Sequence, residues 1–319
     1  MTRPLVCVLA EGDWPALGAT LDSVRVHGLR AVVGVTGQRE RGAAPADVRA
    51  ERITWRDDFA DARNQLASRV DEPWLLWLDS DERLARFEAP DLDGLGADAF
   101  AVRIRDRADL TPRPIARLQR NAPGILWWRA VHETIVTRHP GDPPILDGIE
   151  ILHDGYAGAA VIADKIRRNH AIAVAARARG DESWVYALED ARFAEATGGD
   201  AFKAWLAVFN HPDAAPAGPG GVDGRVEAAE ALAAMGYPTP ARVLLDANPR
   251  IVSLHLALLL GDARQGQPDP GRVDALVGLL RGGADDRYAM PVALLGADRA
   301  AVEGWIVDRA PKRRGATGR

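Results

Sequence analysis

Nine residues, Trp74-Leu75-Leu76-Trp77-Leu78-Asp79-Ser80-Asp81-Glu82, constrain the fold more than any other stretch. A continuous apolar run of this length reads as a strand covered on both faces of a sheet. The three carboxylates then stand at the strand's carboxyl end, the edge at which open α/β sheets bind ligands. Hard divalent cations favour such oxygens, and Mg²⁺ commonly takes one or two carboxylates while water and phosphate oxygens fill the rest. The plainer reading is a solvated turn, or a helix N-cap with acids in its first turn.

The flanking pattern supports a sheet. Leu5 to Leu9 and Ala31 to Val35 read as strands, and a third falls between Val48 and Thr54. Asp13 to His27, with Asp13 as N-cap and Leu17, Leu21 and Val24 on one face, reads as a helix, as does Phe59 to Val70. Strands and helices alternating at these lengths imply a largely parallel sheet. After Leu84 short strand candidates follow at Phe100 to Arg105, Ile115 to Leu118, Ile125 to Trp128, Glu133 to Val136 and Ile149 to Leu152. From Gly158 onward strand signals stop. Helical segments begin at Ala159, Trp184, Ala201, Val226, Ala241, Ile251, Arg272, Ala289 and Arg299. Ala231-Leu232, Gly236-Tyr237 and Ala241 before Asn248-Pro249 faintly resemble a tetratricopeptide turn. Pro212 to Gly224 reads as a connection within the helical region.

Composition narrows the function classes. With 319 residues there is room for two domains. A formal net charge of -5 lacks the basic footprint of a nucleic-acid binder. Cys7 is the single cysteine, so an intrachain disulfide and a cysteine-based zinc site are both excluded. Leu5 to Ala10 is too short for a signal-peptide core, and no apolar run reaches the length of a transmembrane segment. The expectation is a cytoplasmic protein.

The run Trp55-x-Asp57-Asp58-Phe59-x-x-Ala62-Arg63-Asn64, followed by Trp77-Leu78-Asp79-x-Asp81-Glu82, resembles glycosyltransferase family 2. Val131-His132-Glu133, His153-Asp154-Gly155-Tyr156 and Lys165-x-x-Arg168-Asn169 fit the same pattern in the same order. The likeness is to the branch in which a GT-A catalytic domain precedes a helical, tetratricopeptide-like domain, as in sublancin-type peptide S-glycosyltransferases. It implies an α/β fold in which a GT-A domain with a Rossmann-like mixed sheet spans residues 1–157. An all-α, helical-repeat-like domain over 158–311 and a disordered tail over 312–319 follow. The activity implied is inverting, metal-dependent transfer of a hexose from a nucleotide-sugar donor, UDP-linked in the first instance. The acceptor would be a peptide, a saccharide or a small natural product, and a homodimer through the helical domain is a further expectation.

Such a transfer makes three physical demands. Charge growing on the leaving diphosphate must be neutralised. Asp79, Asp81 and His153 are the candidate metal ligands, for Mn²⁺ or Mg²⁺, and the mixed oxygen and nitrogen set suits Mn²⁺ better. A base must take the acceptor's proton. Glu133 is the candidate, with His132 acting in its place or orienting it. The donor must also be held in line. Glu11, Thr36, Gly37, Arg63, Asp79, Ser80, Asp81, Lys165 and Arg168 are the candidate nucleotide-sugar contacts. Each has a plainer reading: a buried histidine, surface strand residues, helix-face pairs or a solvated basic stripe.

One departure stands out. Where the family carries an Asp-Thr-Gly-Ser-x-Asp loop, this chain reads Val35-Thr36-Gly37-Gln38-Arg39-Glu40. Val35 cannot accept a hydrogen bond from a nucleotide base. Gln38 or Glu11 would have to compensate, the base would have to differ, or the chain would bind without turnover. A non-catalytic scaffold with partners on its helices is therefore the second reading. A nucleotidyltransferase ranks third, because Ala10-Glu11-Gly12-Asp13 is a poor phosphate loop.

Overall fold

The structure, a computed structural model, describes residues 2–38, 40–88, 91–106, 112–139, 143–153, 159–214, 224–264 and 269–279. Its fold is α/β: a mixed, Rossmann-like sheet followed by helices. Strands β1 (Leu5–Ala10), β2 (Ala31–Val35), β3 (Arg49–Arg52) and β4 (Trp74–Asp79) run parallel in the order β3-β2-β1-β4. Leu9 lies beside Asp79 in register, and Ala10 beside Val35. All four strands therefore end on one edge. β3 closes the sheet with Arg49, Glu51 and Arg52, charges that discourage pairing with another chain.

Beyond β4 the sheet turns mixed. β7 (Arg113–Arg120) pairs antiparallel with β4, and β6 (Ala99–Asp106) antiparallel with β7. β10 (Ile145–His153) runs parallel to β6 and antiparallel to β5 (Glu82–Phe87). A separate two-stranded ribbon joins β8 (Leu126–Trp128) to β9 (Thr134–Val136). β5 was not expected from the pattern. Three acids and two arginines between Asp79 and Arg86 mask it, and only Leu84 of its residues is both buried and aliphatic.

Period-two alternation divides β4 between two cores. Leu76 and Leu78 join Leu17, Leu21 and Val24 of helix α1 (Gly18–Val26). Leu75 and Trp77 join Leu66 of helix α2 (Phe59–Ala67), with Trp127 and Ile135 of the ribbon. α1 starts later than its pattern suggests. Asp13 instead caps a preceding turn, its Oδ1 accepting the Ala16 N–H at 3.3 Å. Asp58 caps α2, accepting the Asp61 N–H at 2.8 Å.

Helices follow from Ala159: α3 (Ala159–Ala178), α4 (Val185–Thr197), α5 (Ala201–Asn210), α6 (Gly224–Ala234), α7 (Thr239–Ala247), α8 (Val252–Arg264) and α9 (Pro270–Gly278). By compactness, residues 1–107 and 112–225 form one unit and 108–111 with 226–319 another, so α3, α4 and α5 belong with the sheet. The change from strand to helix comes earlier, between His153 and Ala159. Among the described residues no helix is long and apolar enough to cross a membrane. The helices expected at Ala289 and Arg299, the tail, most of the Pro212–Gly224 connection and Asp154 to Tyr156 lie outside the described residues.

Gly37 marks how tightly the loops after β1 and β2 converge. A β-carbon there would stand 1.9 Å from the Glu11 carbonyl oxygen, closer than any real contact. Gly37→Ala is expected to cost about 1–3 kcal/mol of stability, read as a shift in urea midpoint. An unshifted midpoint would show that the loops are not in contact.

Candidate functional site

The acids of β4 frame a tight turn. β4 ends at Asp79 and β5 begins at Glu82, leaving Ser80 and Asp81 at the tip. Glu82 closes the turn by accepting the Asp79 backbone N–H at 2.8 Å. α1 braces it: Thr20 Oγ1 donates to the Ser80 carbonyl at 3.0 Å, and Ser23 Oγ accepts the Leu84 N–H at 2.9 Å. Ser80 thus contributes its backbone to the brace, and its side chain is exposed.

Behind the turn lies a charge network that the sequence reading only half anticipated. Arg63, buried on α2, donates through Nε to Glu133 Oε1 at 2.8 Å and through Nη2 to Asp79 Oδ1 at 2.7 Å. Its guanidinium sits 4.6 Å from the centre of the Trp127 ring and 5.2 Å from that of Trp77. Arg117, buried on β7, donates through Nη2 to Asp79 Oδ2 at 2.8 Å and to Glu82 Oε1 at 2.7 Å. Two cations are thus ringed by three carboxylates. Burial opposes ionisation of Asp79, but the guanidiniums of Arg117 and Arg63 outweigh it and hold its carboxyl well below the usual range. Burial dominates at Glu82 and pushes its carboxyl up, against the pull of Arg117.

Arg117 is the member that sequence reasoning missed, and with it the ion pair that holds Glu82. A usable signal exists: Arg117 and Gln119 share one face of a strand that pairs with the apolar β4, and a buried arginine demands a carboxylate. Gln119 Oε1 likewise accepts from Trp77 Nε1 at 3.2 Å. Asn64 also has a role beyond the helix face. Its amide donates to the Trp127 carbonyl and accepts the Trp127 N–H, both at 2.8 Å, fastening the ribbon to α2.

Asp81 faces a different group. Its Oδ2 lies 3.3 Å from His153 Nε2 at the end of β10 and accepts from Lys165 Nζ of α3 at 3.1 Å. Burial works against its charge, yet the hydrogen bond with His153 and the ammonium of Lys165 lower its pKa to about 2. Asp81 Oδ2 and His153 Nε2 are one oxygen and one nitrogen that could hold a cation. Both Asp79 oxygens are already taken by guanidinium groups. Among the described residues no cluster of three or more His, Cys, Asp or Glu converges on one point. Two protein ligands still fit a divalent ion whose other positions go to a diphosphate and water.

The remaining candidates surround this centre to different degrees. Glu11 and Gly37 meet through backbone, and Thr36 folds back on β1, its N–H donating to the Ala10 carbonyl at 2.9 Å. Val35 is buried in the α1-side core. Arg168 is not drawn to Asp81: it is exposed and lies 5.2 Å over the Phe59 ring. His132 turns towards α4, its Nε2 2.6 Å from Glu189 Oε1 and 3.0 Å from Arg192 Nη1. Arg192 donates to the same oxygen at 2.8 Å. This arrangement suits His132 to orienting the loop that carries Glu133.

No family model matches the chain. A TPR repeat-containing protein of Synechococcus elongatus is 32% identical over 146 residues, covering 42% of this chain. The chain spans 36% of that relative's length. Among solved structures, S. aureus TarS 1–349 is similar with a TM-score of 0.33 and 10% identity, over 88% of this chain and 91% of that one. Its complex with UDP-GlcNAc gives 0.33 and 11% over 88% and 93%. The complex with UDP gives 0.31 and 9% over 97% and 93%.

Two outcomes test the electrostatics. Arg117→Leu strands Glu82, a carboxylate 2% exposed, beside Asp79, and should cost about 3–5 kcal/mol in urea unfolding at neutral pH. Asp81 binds its proton less readily folded, at about 2, than unfolded, at about 3.9. The stability it confers is therefore complete above the unfolded value and lost as pH falls through the folded one. Asp81→Asn should flatten the acid limb of the thermal midpoint against pH, and an unchanged limb would refute the pairing.

Proposed function

We propose that the chain is a glycosyltransferase taking a nucleoside-diphosphate-sugar donor, with a divalent cation, Mn²⁺ or Mg²⁺, shared between protein and diphosphate. The observation that carries this reading is the meeting of Asp81, His153 and Lys165 at the carboxyl edge of a parallel sheet. An α/β sheet offers its ligand site there. The three groups are suited to a polyanion and a cation together.

In this reading Asp81 Oδ2 and His153 Nε2 hold the cation, which when bound supplies charge neutralisation at the leaving diphosphate. Lys165 then turns its ammonium from Asp81 to phosphate oxygen, adding a fixed positive charge where negative charge grows. Asp79, with one guanidinium on each oxygen, is a weaker cation ligand than a carboxylate without such partners. Its task is to fix the turn that aims Asp81. Glu133, gripped through Oε1 by Arg63, keeps its second oxygen to take a proton from an acceptor hydroxyl or thiol. Residues 1–157 with Lys165 of α3 form the donor-binding part, and the later helices within 158–311 contribute to acceptor binding or meet a second copy of the chain. Arg168 has no donor contact in this scheme.

A second reading, a non-catalytic scaffold, is favoured by Val35, which is 2% exposed where the resembled family has its base-contacting aspartate. Thermal unfolding separates the two. UDP with Mn²⁺ should raise stability by about 2.7 kcal/mol at a hundredfold excess over its dissociation constant, and chelation should remove most of the gain. Asp81→Ala should lose the metal-dependent part while circular dichroism stays unchanged. Glu133→Gln should keep the nucleotide response but slow donor cleavage, read as UDP release, by about a hundredfold or more. Absence of any response across the nucleoside diphosphates would favour the scaffold.

A further inference from the structure

The loop between β8 and β9 carries more than the candidate base. Trp128 pairs with Thr134 and Leu126 with Val136 across the ribbon. Arg129 follows β8 directly and Glu133 precedes β9, so the two flank the loop that joins the strands. The ribbon has two unlike faces. Trp127 and Ile135 are buried against α2, whereas Leu126, Trp128 and Val136 are 44%, 47% and 40% exposed. The outward face is thus an apolar strip ending at an arginine.

Arg129 is held in an unusual way. Its φ is +80°, in the left-handed region that costs a side-chain-bearing residue about 1–2 kcal/mol. Strain of this kind persists only where the surroundings impose it. Here the surroundings do. The Ala130 carbonyl accepts the Phe59 N–H at 2.9 Å, the Ala130 N–H reaches Tyr186 Oη at 3.4 Å, and His132, also at positive φ, is bound by Glu189. The loop is fixed on several sides. Arg129 itself makes no hydrogen bond or ion pair among the described residues, and its buried Nε has no partner. Its guanidinium lies 4.6 Å from the Trp128 ring centre and 5.9 Å from that of Trp184. Burial lowers its pKa, only partly offset by Tyr186 and the Asp181 carboxylate nearby, neither of which hydrogen-bonds the guanidinium. Arg63 and Arg117 each have two carboxylates, so the lack at Arg129 is not a general shortage of acids.

We propose that Trp128 and Arg129 form an acceptor subsite for a molecule that lays an apolar ring on Trp128 and presents an anionic group, carboxylate or phosphate, to Arg129. The ring meets the strip of Leu126, Trp128 and Val136, and the anion supplies the partner that the guanidinium lacks. Arg129 and Glu133 flank the one loop between β8 and β9, so the subsite lies on the loop that carries the candidate base. Only the name "acceptor" rests on the transferase reading; the binding chemistry stands apart from it.

The test uses fluorine NMR on the full chain with three probes: 4-fluorophenylacetate, 4-fluorophenyl phosphate and neutral 4-fluorophenylacetamide. At least one anion should bind about tenfold more tightly than the amide, and the anion that does so names the group. Arg129→Gln should abolish this preference, Arg129→Lys should keep part of it, and Trp128→Ala should weaken all three probes. Equal binding of anions and amide, no binding at all, or a preference surviving in Arg129→Gln would overturn the subsite. The probes contain no nucleotide. A chain that prefers the anions yet ignores UDP with Mn²⁺ would keep the subsite and lose the transferase.

Discussion

Everything at the carboxyl edge of this sheet depends on how two buried arginines are paid for in charge. Arg63 and Arg117 meet on Asp79, one guanidinium at each oxygen, and each reaches on to a second carboxylate. Desolvating a guanidinium costs several kcal/mol unless opposite charges and hydrogen bonds offset it. The pairing therefore holds only in a narrow geometry. It joins α2, the end of β4, the start of β5, the middle of β7 and the loop before β9, five segments distant in sequence. A change in the orientation of any one leaves a buried charge short of its partner.

That network also sorts the acids by task. Asp79 and Asp81 are two residues apart and look equivalent in a motif. In the fold, Asp79 is bound from behind by arginines, while Asp81 at the tip of the turn faces His153 and Lys165. Glu82 points inward and closes the turn. One side chain of three, Asp81, has a histidine and a lysine for partners.

α4 belongs to the same construction. Glu189, Arg192 and Tyr186 act on the loop through His132 and Ala130, so a helix beyond the last strand sets the position of Glu133. In this way the helices past β10 act on the edge of the sheet. The cost of the loop's two left-handed residues, Arg129 and His132, is carried by contacts around it.

Local pattern was enough to read the parallel half of the sheet, the first turn of α2 and the strand that delivers the acids. Buried strands and N-capped helices follow from hydrophobic period and short-range hydrogen bonding, which neighbouring residues carry. The same pattern missed β5 and Arg117, because polar residues in a strand look like surface until their partners are known. It also placed Arg168 with Lys165 from a shared helix spacing, whereas packing sends one to Phe59 and the other to Asp81. Which charge faces which is a long-range matter: it is settled by strand order and by the cost of burying an unpaired ion, and neither quantity is written in any window of the chain.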